Sequence, residues 1–139
     1  MLPVLLLCAA LVLTLLTANL LSHAGAEPES FTTDERGFID TAARCDKWQS
    51  AVAVGRTEQS LIAICADGSG QYQYRGVRVN DNSVLDVPAE SAEDGQFVAE
   101  NGPFTYTFSA KELVIDKGWF VLRAEPMVAF VEPRRAAGG

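Results

Sequence analysis

The sequence predicts an all-β domain, a small antiparallel sandwich or barrel of short hairpins, preceded by an N-terminal hydrophobic helix. Three observations support this. From Cys45 onward, short apolar runs recur about every 8–12 residues, turn residues separate them, and long helical patterns are absent. The chain has 139 residues, which is the size of one domain. We therefore expect one β domain at residues 45–132.

Residues 1–26 differ in composition from the rest of the chain. No charged side chain occurs before Glu27, and residues 2–21 are mostly Leu, Val and Ala. A helix of that length crosses the hydrocarbon core of a bilayer. Small residues at 24–26 favour a signal peptide cleaved between Ala26 and Glu27, with cleavage after Ala24 as a second candidate. The long apolar run and the missing cationic start favour a retained anchor instead. Both alternatives export the remainder of the chain, which is then secreted or held at the membrane by one N-terminal helix.

Residues 27–44 are expected to link this segment to the β domain. Their first ten residues are polar and include a proline. The apolar residues between Gly37 and Arg44 fit one helical face, so the pattern favours a short helix there. At the other end of the chain, residues 133–139, PRRAAGG, are expected to form a flexible tail.

The clearest strand pattern is a hairpin that follows a brief strand at residues 51–54. Residues 60–66, SLIAICA, form a nearly continuous apolar run, typical of a strand buried on both faces. The segment DGSG predicts a turn, and residues 71–79 then alternate between aromatic and polar side chains. Gly76 within this second strand indicates a bulge.

A second hairpin follows the longest polar stretch, residues 80–95, in which only a short edge strand at Val84-Leu85 is expected. Residues 97–100 lead through Asn101-Gly102-Pro103 into residues 104–108, which alternate with period two. Three further short strands complete the predicted domain, at residues 113–115, 119–123 and 127–131.

Two cysteines, Cys45 and Cys65, lie in the exported part of the chain. An even pair in an oxidising compartment is most simply a disulfide, and two free buried thiols are the alternative. The bond would close a loop of about 20 residues, for which chain entropy gives about 3 kcal/mol. Because Cys65 lies in the most apolar strand and Cys45 stands among charged residues, we expect Cys65 to be the more deeply buried of the two.

The composition excludes several classes of chemistry. A net charge of −7 argues against a nucleic-acid partner. His23 is the only histidine and lies beside the apolar segment, which excludes a Ser-His-Asp site and a histidine metal site in the domain. The acidic residues at 86–94 lack the ligand order of an EF-hand and predict a solvated loop. No cofactor and no metal are expected, and the aromatic residues predict core in preference to a ligand-binding face.

Several short stretches resemble exported domains of unknown function from actinobacteria, mycobacteria and their relatives. The resemblance is carried by residues 56–78, by the second hairpin and by Glu125-Pro126-Met127, and it covers most of residues 45–130. It implies a small secreted or membrane-anchored protein and no particular activity.

The sequence thus favours a non-enzymatic extracytoplasmic domain with a binding or structural role at the cell envelope. The partners expected are the membrane, through an uncleaved N-terminal segment, and an envelope protein or glycan. A carboxylate-based hydrolase acting on glycan is the alternative, because eighteen acidic residues leave that chemistry open.

Overall fold

The computed structural model describes residues 31–133, and all of its regular structure is β apart from one short 3-10 turn at Glu93–Gly95. The strands are β1 Thr33–Asp34, β2 Gly37–Phe38, β3 Ser50–Arg56, β4 Ser60–Ala66, β5 Tyr72–Arg78, β6 Val84–Ser91, β7 Phe97–Asn101, β8 Phe104–Phe108, β9 Glu112–Lys117, β10 Phe120–Pro126 and β11 Ala129–Val131. The all-β prediction is confirmed. The predicted N-terminal helix lies outside the described residues.

The strands β3 to β10 form an antiparallel meander in which each strand pairs with the next along the chain. Tight turns set the register of its later hairpins. Asn101 pairs with Phe104 and Lys117 pairs with Phe120, so each connection has two residues. Gly102 and Gly118 begin these turns with φ of 59° and 60°, a conformation that costs glycine little. Both hairpins predicted from the sequence, β4–β5 and β7–β8, are present.

The last strands bring the two edges of the sheet together. β10 pairs with β9, whereas β11 pairs with β3 at the opposite edge, and only Met127 and Val128 separate β10 from β11. Residues 120–131 are therefore nearly continuous, and they hydrogen-bond to β9 through β10 and to β3 through β11. The result is a curled nine-stranded sheet, a half-barrel, with the small β1–β2 sheet beside it.

The N-terminal hairpin β1–β2 explains why β4 is buried along its whole length. Phe38 and Ala43 pack with Leu61 and Cys65 on the outer face of the sheet, while Ile62 and its neighbours on the other face join the interior core. The residues expected to form a helix at 37–44 instead form β2 and a series of turns, and the compact unit already begins at Phe31. Backbone hydrogen bonds such as Ala51 N–H to Glu35 O (2.9 Å) bind this segment to β3.

The polar stretch at residues 80–95 contains a full strand in place of the short edge strand expected there. β6 has eight residues and lies between β5 and β7. Leu85, Val87 and Ala89 point to the interior, while the intervening polar residues and Pro88 are exposed. The strand therefore alternates with a period of two, but its inward side chains are too few and too small for the sequence pattern to show it. The bulge predicted at Gly76 is also absent: β5 pairs without a shift, and Gly76 leaves room for the ring of Tyr74.

Candidate functional site

The inner face of the curled sheet carries polar as well as apolar side chains. Arg123 is paired with Ile115 across β10 and β9, and Glu125 is paired with Leu113. Directly opposite residues of an antiparallel pair point to the same face. Because Leu113 and Ile115 belong to the interior core, the two charged side chains of β10 also point inward.

These side chains border a cavity of about 210 Å³ within the curl of the sheet. It lies towards the end of the meander that carries the turns at residues 57–59, 79–83, 102–103 and 118–119, which we call the mouth end. Its apolar lining is Gly76, Val77, Val84, Leu85, Leu113 and Ile115, and its polar lining is Ser60, Tyr74, Arg78, Ser83, Asn101, Tyr106 and Arg123. The lining thus combines apolar side chains with several polar groups, as ligand sites commonly do.

A buried carboxylate stands behind this lining. Glu125 is 4% exposed, and its Oε1 accepts hydrogen bonds from the hydroxyl groups of Thr57 (2.6 Å) and Ser60 (2.9 Å). Its Oε2 lies 3.4 Å from Arg123 Nη2 and makes no hydrogen bond within residues 31–133. The carboxylate therefore joins β10 to the β3–β4 turn and fixes both Ser60 and Arg123 at the cavity wall.

Two tyrosines form one side of the cavity. The rings of Tyr74 and Tyr106 have centroids 5.5 Å apart, and Tyr74 is 2% exposed whereas Tyr106 is half-buried. Burial raises the pKa of the Tyr74 hydroxyl far above its ordinary value, and the nearby Tyr106 and Glu125 raise it further. Tyr74 is therefore neutral at every physiological pH and presents a hydroxyl, not a phenolate, to the cavity.

The cavity lining presents positive charge and hydroxyl groups. Arg123 supplies a positive charge, held in place by its hydrogen bond to Gln59 Oε1 (2.9 Å), and the tyrosines and Ser60 supply hydroxyl groups. None of the described lining residues is acidic, and Glu125 is already engaged behind them. Within residues 31–133 no group of three or more His, Cys, Asp or Glu side chains is placed to hold a metal ion.

The structure places the predicted site residues away from this cavity. Cys45 and Cys65 form the expected disulfide on the outer face of the sheet, where it joins the N-terminal segment to β4. Both cysteines are buried, at 1% and 0% exposure, so the expectation that Cys45 lies nearer the surface is wrong: it packs in the outer-face core with Phe38 of β2 and Ala43. The predicted cleavage site at Ala26 and Glu27 lies outside the described residues.

Charged groups on the outer face hold the same segment to the sheet. Arg75 of β5 bonds to both carboxylate oxygens of Asp46 (3.1 and 2.8 Å) and to the carbonyl of Arg44. Arg44 in turn makes a two-pronged bond to Asp34 at 2.8 and 2.7 Å. The hydrogen bonds from Arg44 and Arg75 lower the pKa values of Asp34 and Asp46 respectively below their ordinary value.

Sequence reasoning missed the polar residues of the cavity. Arg123 and Glu125 stand two apart in an otherwise apolar strand, which places two opposite charges on one face of β10. This spacing of two is the sequence feature from which an inward-facing charged pair could have been predicted. The aromatic residues are divided: Tyr74 and Phe108 are core, as expected, Tyr106 lines the cavity, and Trp48 and Trp119 are exposed.

Comparisons of the chain with protein-family models, with curated proteins and with solved structures found no match. The resemblance to exported actinobacterial domains therefore stays a prediction. Among residues 31–133 there is no helix of the length and apolar character needed to cross a membrane.

Proposed function

We propose that the chain is an exported, non-enzymatic binding domain that receives a polar group of about the size of one sugar ring in the cavity of the curled sheet. The observation that carries this proposal is the lining itself. Apolar side chains beside two tyrosines, with hydroxyl groups and two arginines, suit a ligand that has both hydroxyl groups and an apolar ring face. An envelope glycan is the partner with that chemistry.

The lining also supports binding in preference to glycan hydrolysis. Hydrolysis with two carboxylates requires them to flank the scissile bond, about 5–9.5 Å apart. The described cavity wall contributes arginine and hydroxyl groups. The buried carboxylate beside it, Glu125, is engaged by hydrogen bonds from Thr57 and Ser60.

Titration of the isotope-labelled full chain with monosaccharides and disaccharides, followed by NMR, tests the binding site. We expect chemical-shift changes confined to cavity residues, and we expect Arg123→Gln and Tyr106→Phe to weaken binding by about tenfold each, the value of one lost charged or buried hydrogen bond. Lys47→Gln, an exposed cation in the turn before β3, is the matched control and should bind as the unchanged chain does. Shifts centred elsewhere, or no binding to any sugar, contradict the proposal.

Export is the second part of the proposal, and the disulfide is compatible with it because an oxidising compartment maintains such bonds. A reporter that is active only after export, fused after Gly139, is expected to be active. Mass spectrometry of the N-terminus distinguishes cleavage after Ala26 from a retained segment. Activity of a reporter that works only in the cytoplasm refutes export.

A further inference from the structure

The hairpin between β9 and β10 ends in an exposed apolar tip. Trp119 is 98% exposed, Phe120 72% and Val121 63%, and Leu122 follows at 49%. Successive strand residues point to opposite faces, so both faces of this tip are apolar and both are in water. Contiguous exposure of this kind marks a contact surface, because isolated exposed apolar residues are common but an uninterrupted group is not.

Among the described residues no strand covers the outer edge of the tip. On the side away from β4, β3 pairs with residues 129–131 and not with β10, so within residues 31–133 no strand pairs with the outer edge of β10. Edge strands are usually protected by charged side chains, a proline or a covering loop. Residues 119–122 carry no charge, and the bulge between Val121 and Arg123 turns Leu122 out of the ladder.

The entry of the chain lies at the same end of the domain. Phe31, the first described residue, lies under the guanidinium of Arg56 (4.9 Å to the ring centroid), which ends β3 beside the turn at residues 57–59. Gln59 of that turn is hydrogen-bonded to Arg123, four residues beyond Trp119. The apolar residues 2–21 precede Phe31 by only nine residues, 22–30, which span at most about 30 Å.

We propose that the Trp119 tip inserts into the surface of a lipid bilayer. Lipid surrounds an inserted tip on every side, which accounts for apolar side chains on both faces of the hairpin. A strand added to the edge of β10 would pair with its backbone and would leave side chains of the tip in water. Trp favours the boundary between headgroups and acyl chains. Lys117, exposed at the base of the tip, places a cation where the headgroups would lie.

The net charge of the chain indicates which lipid headgroups the tip would meet. A chain of charge −7 is repelled by an anionic surface, so the contact is apolar and suits zwitterionic lipid. This inference does not depend on what the cavity binds, since the tip is formed by residues outside the cavity lining.

The two tryptophans allow a controlled test in the full chain. Trp48→Phe leaves Trp119 as the only fluorophore, and Trp119→Phe leaves Trp48, which is 74% exposed in the turn before β3 at the opposite end of the meander. Each variant is reconstituted into phosphatidylcholine vesicles with and without brominated acyl chains. We expect Trp119 emission to move to shorter wavelength and to be quenched by the bromines, with Trp48 unchanged from its emission in lipid-free buffer.

A second substitution in the Trp119-only chain checks that the tip itself is responsible. Phe120→Ser should reduce the quenching of Trp119, and Val131→Ser, at a 49% exposed apolar position on β11, should not. Trp119 emission unchanged by vesicles overturns the proposal. Shielding of Trp119 without lipid also overturns it, and indicates a second copy if the shielding rises with protein concentration, or residues 2–21 of the same chain if it does not.

Discussion

At the scale of single residues, the disulfide is the covalent link between the N-terminal segment and the sheet. It closes a loop of 20 residues, for which chain entropy predicts about 3 kcal/mol. Reduction should therefore lower the melting temperature by more than about 10 °C, since about 1 kcal/mol corresponds to 4–8 °C in a domain of this size. Cys45→Ala and Cys65→Ala should cost similar amounts because both side chains are fully buried. Two titratable thiols in the oxidised, denatured chain would contradict the bond.

The ion pairs of the outer face predict how stability depends on pH. The pKa values of Asp34 and Asp46 are lowered in the folded chain by Arg44 and Arg75, so protons bind more tightly to the unfolded chain. Their stabilisation is complete above the unfolded pKa of about 3.9 and is lost as the pH falls through the lower folded values. We expect the melting temperature of the double variant Asp34→Asn, Asp46→Asn to fall less steeply below pH ~4 than that of the unchanged chain. Asp94→Asn, an exposed residue of the 3-10 turn, is the control and should retain the steep fall.

Single residues also show what the sequence could reveal about the site. Two cysteines in a domain that is expected to be exported suffice to predict a pair, but burial depends on the element that covers them. Cys45 packs against Phe38 of β2, whose local pattern had predicted a helix. The inward charges of β10 were equally hidden, because Arg123 and Glu125 are compatible with the core only when Thr57 and Ser60 arrive from a turn more than sixty positions away in sequence.

At the scale of elements, strands of strong pattern were predictable and those of weak pattern were not. SLIAICA predicted a strand buried on both faces, and β4 is one. The full length of β6 was not predicted, because VLDVPAES has few large apolar residues and contains Pro88, which normally argues against an interior strand. Pairing with β5 and β7 on either side determines its structure, and such tertiary contacts are absent from a local pattern.

The close packing of β3 against the interior gives a prediction for glycine. A Cβ at Gly55 would lie 2.5 Å from the ring of Phe108, which is fully buried and has no room to move. Gly55→Ala should therefore destabilise the domain by about 1–3 kcal/mol, as overpacking does. Gly68→Ala is the matched control: a Cβ there meets nothing within 4 Å, and stability should be unchanged or slightly higher. Equal denaturant midpoints for the two variants would contradict this packing.

At the scale of the whole molecule, the order of the hairpins was predictable but the curl of the sheet was not. Alternation and turn residues define neighbouring strands, whereas the return of β11 to β3 joins residues about 75 positions apart and leaves no local signal. The curl creates the cavity, and it also leaves the outer edge of β10, with the Trp119 tip, without a neighbouring strand in the described part of the chain. Both features lie towards the mouth end, so a ligand in the cavity would lie near the lipid surface that we propose for the tip.

The junction of the two edges can be tested at one side chain. Phe130 of β11 pairs with Gly55 of β3, and its ring centroid lies 5.7 Å from that of Phe108, the ring that lies over Gly55, so Phe130 packs at the seam between β11 and β3. Because Phe130 is half-buried, Phe130→Ala should cost about 2–3 kcal/mol, somewhat less than truncation of a fully buried phenylalanine.

Val131→Ala is the control for this seam, since the neighbouring side chain is 49% exposed and its truncation should change stability by less than about 0.5 kcal/mol. Chemical denaturation of both variants measures the difference. Hydrogen exchange distinguishes loss of the β11–β3 pairing from a purely local loss of packing, because only the former speeds exchange of the paired amides. In Phe130→Ala the amide of Val128, which donates to Arg56 O at 2.7 Å, should exchange faster together with the β3 amides that face β11. If the two variants are equally stable, Phe130 does not hold β11 against β3, and the packing described for this pair is contradicted.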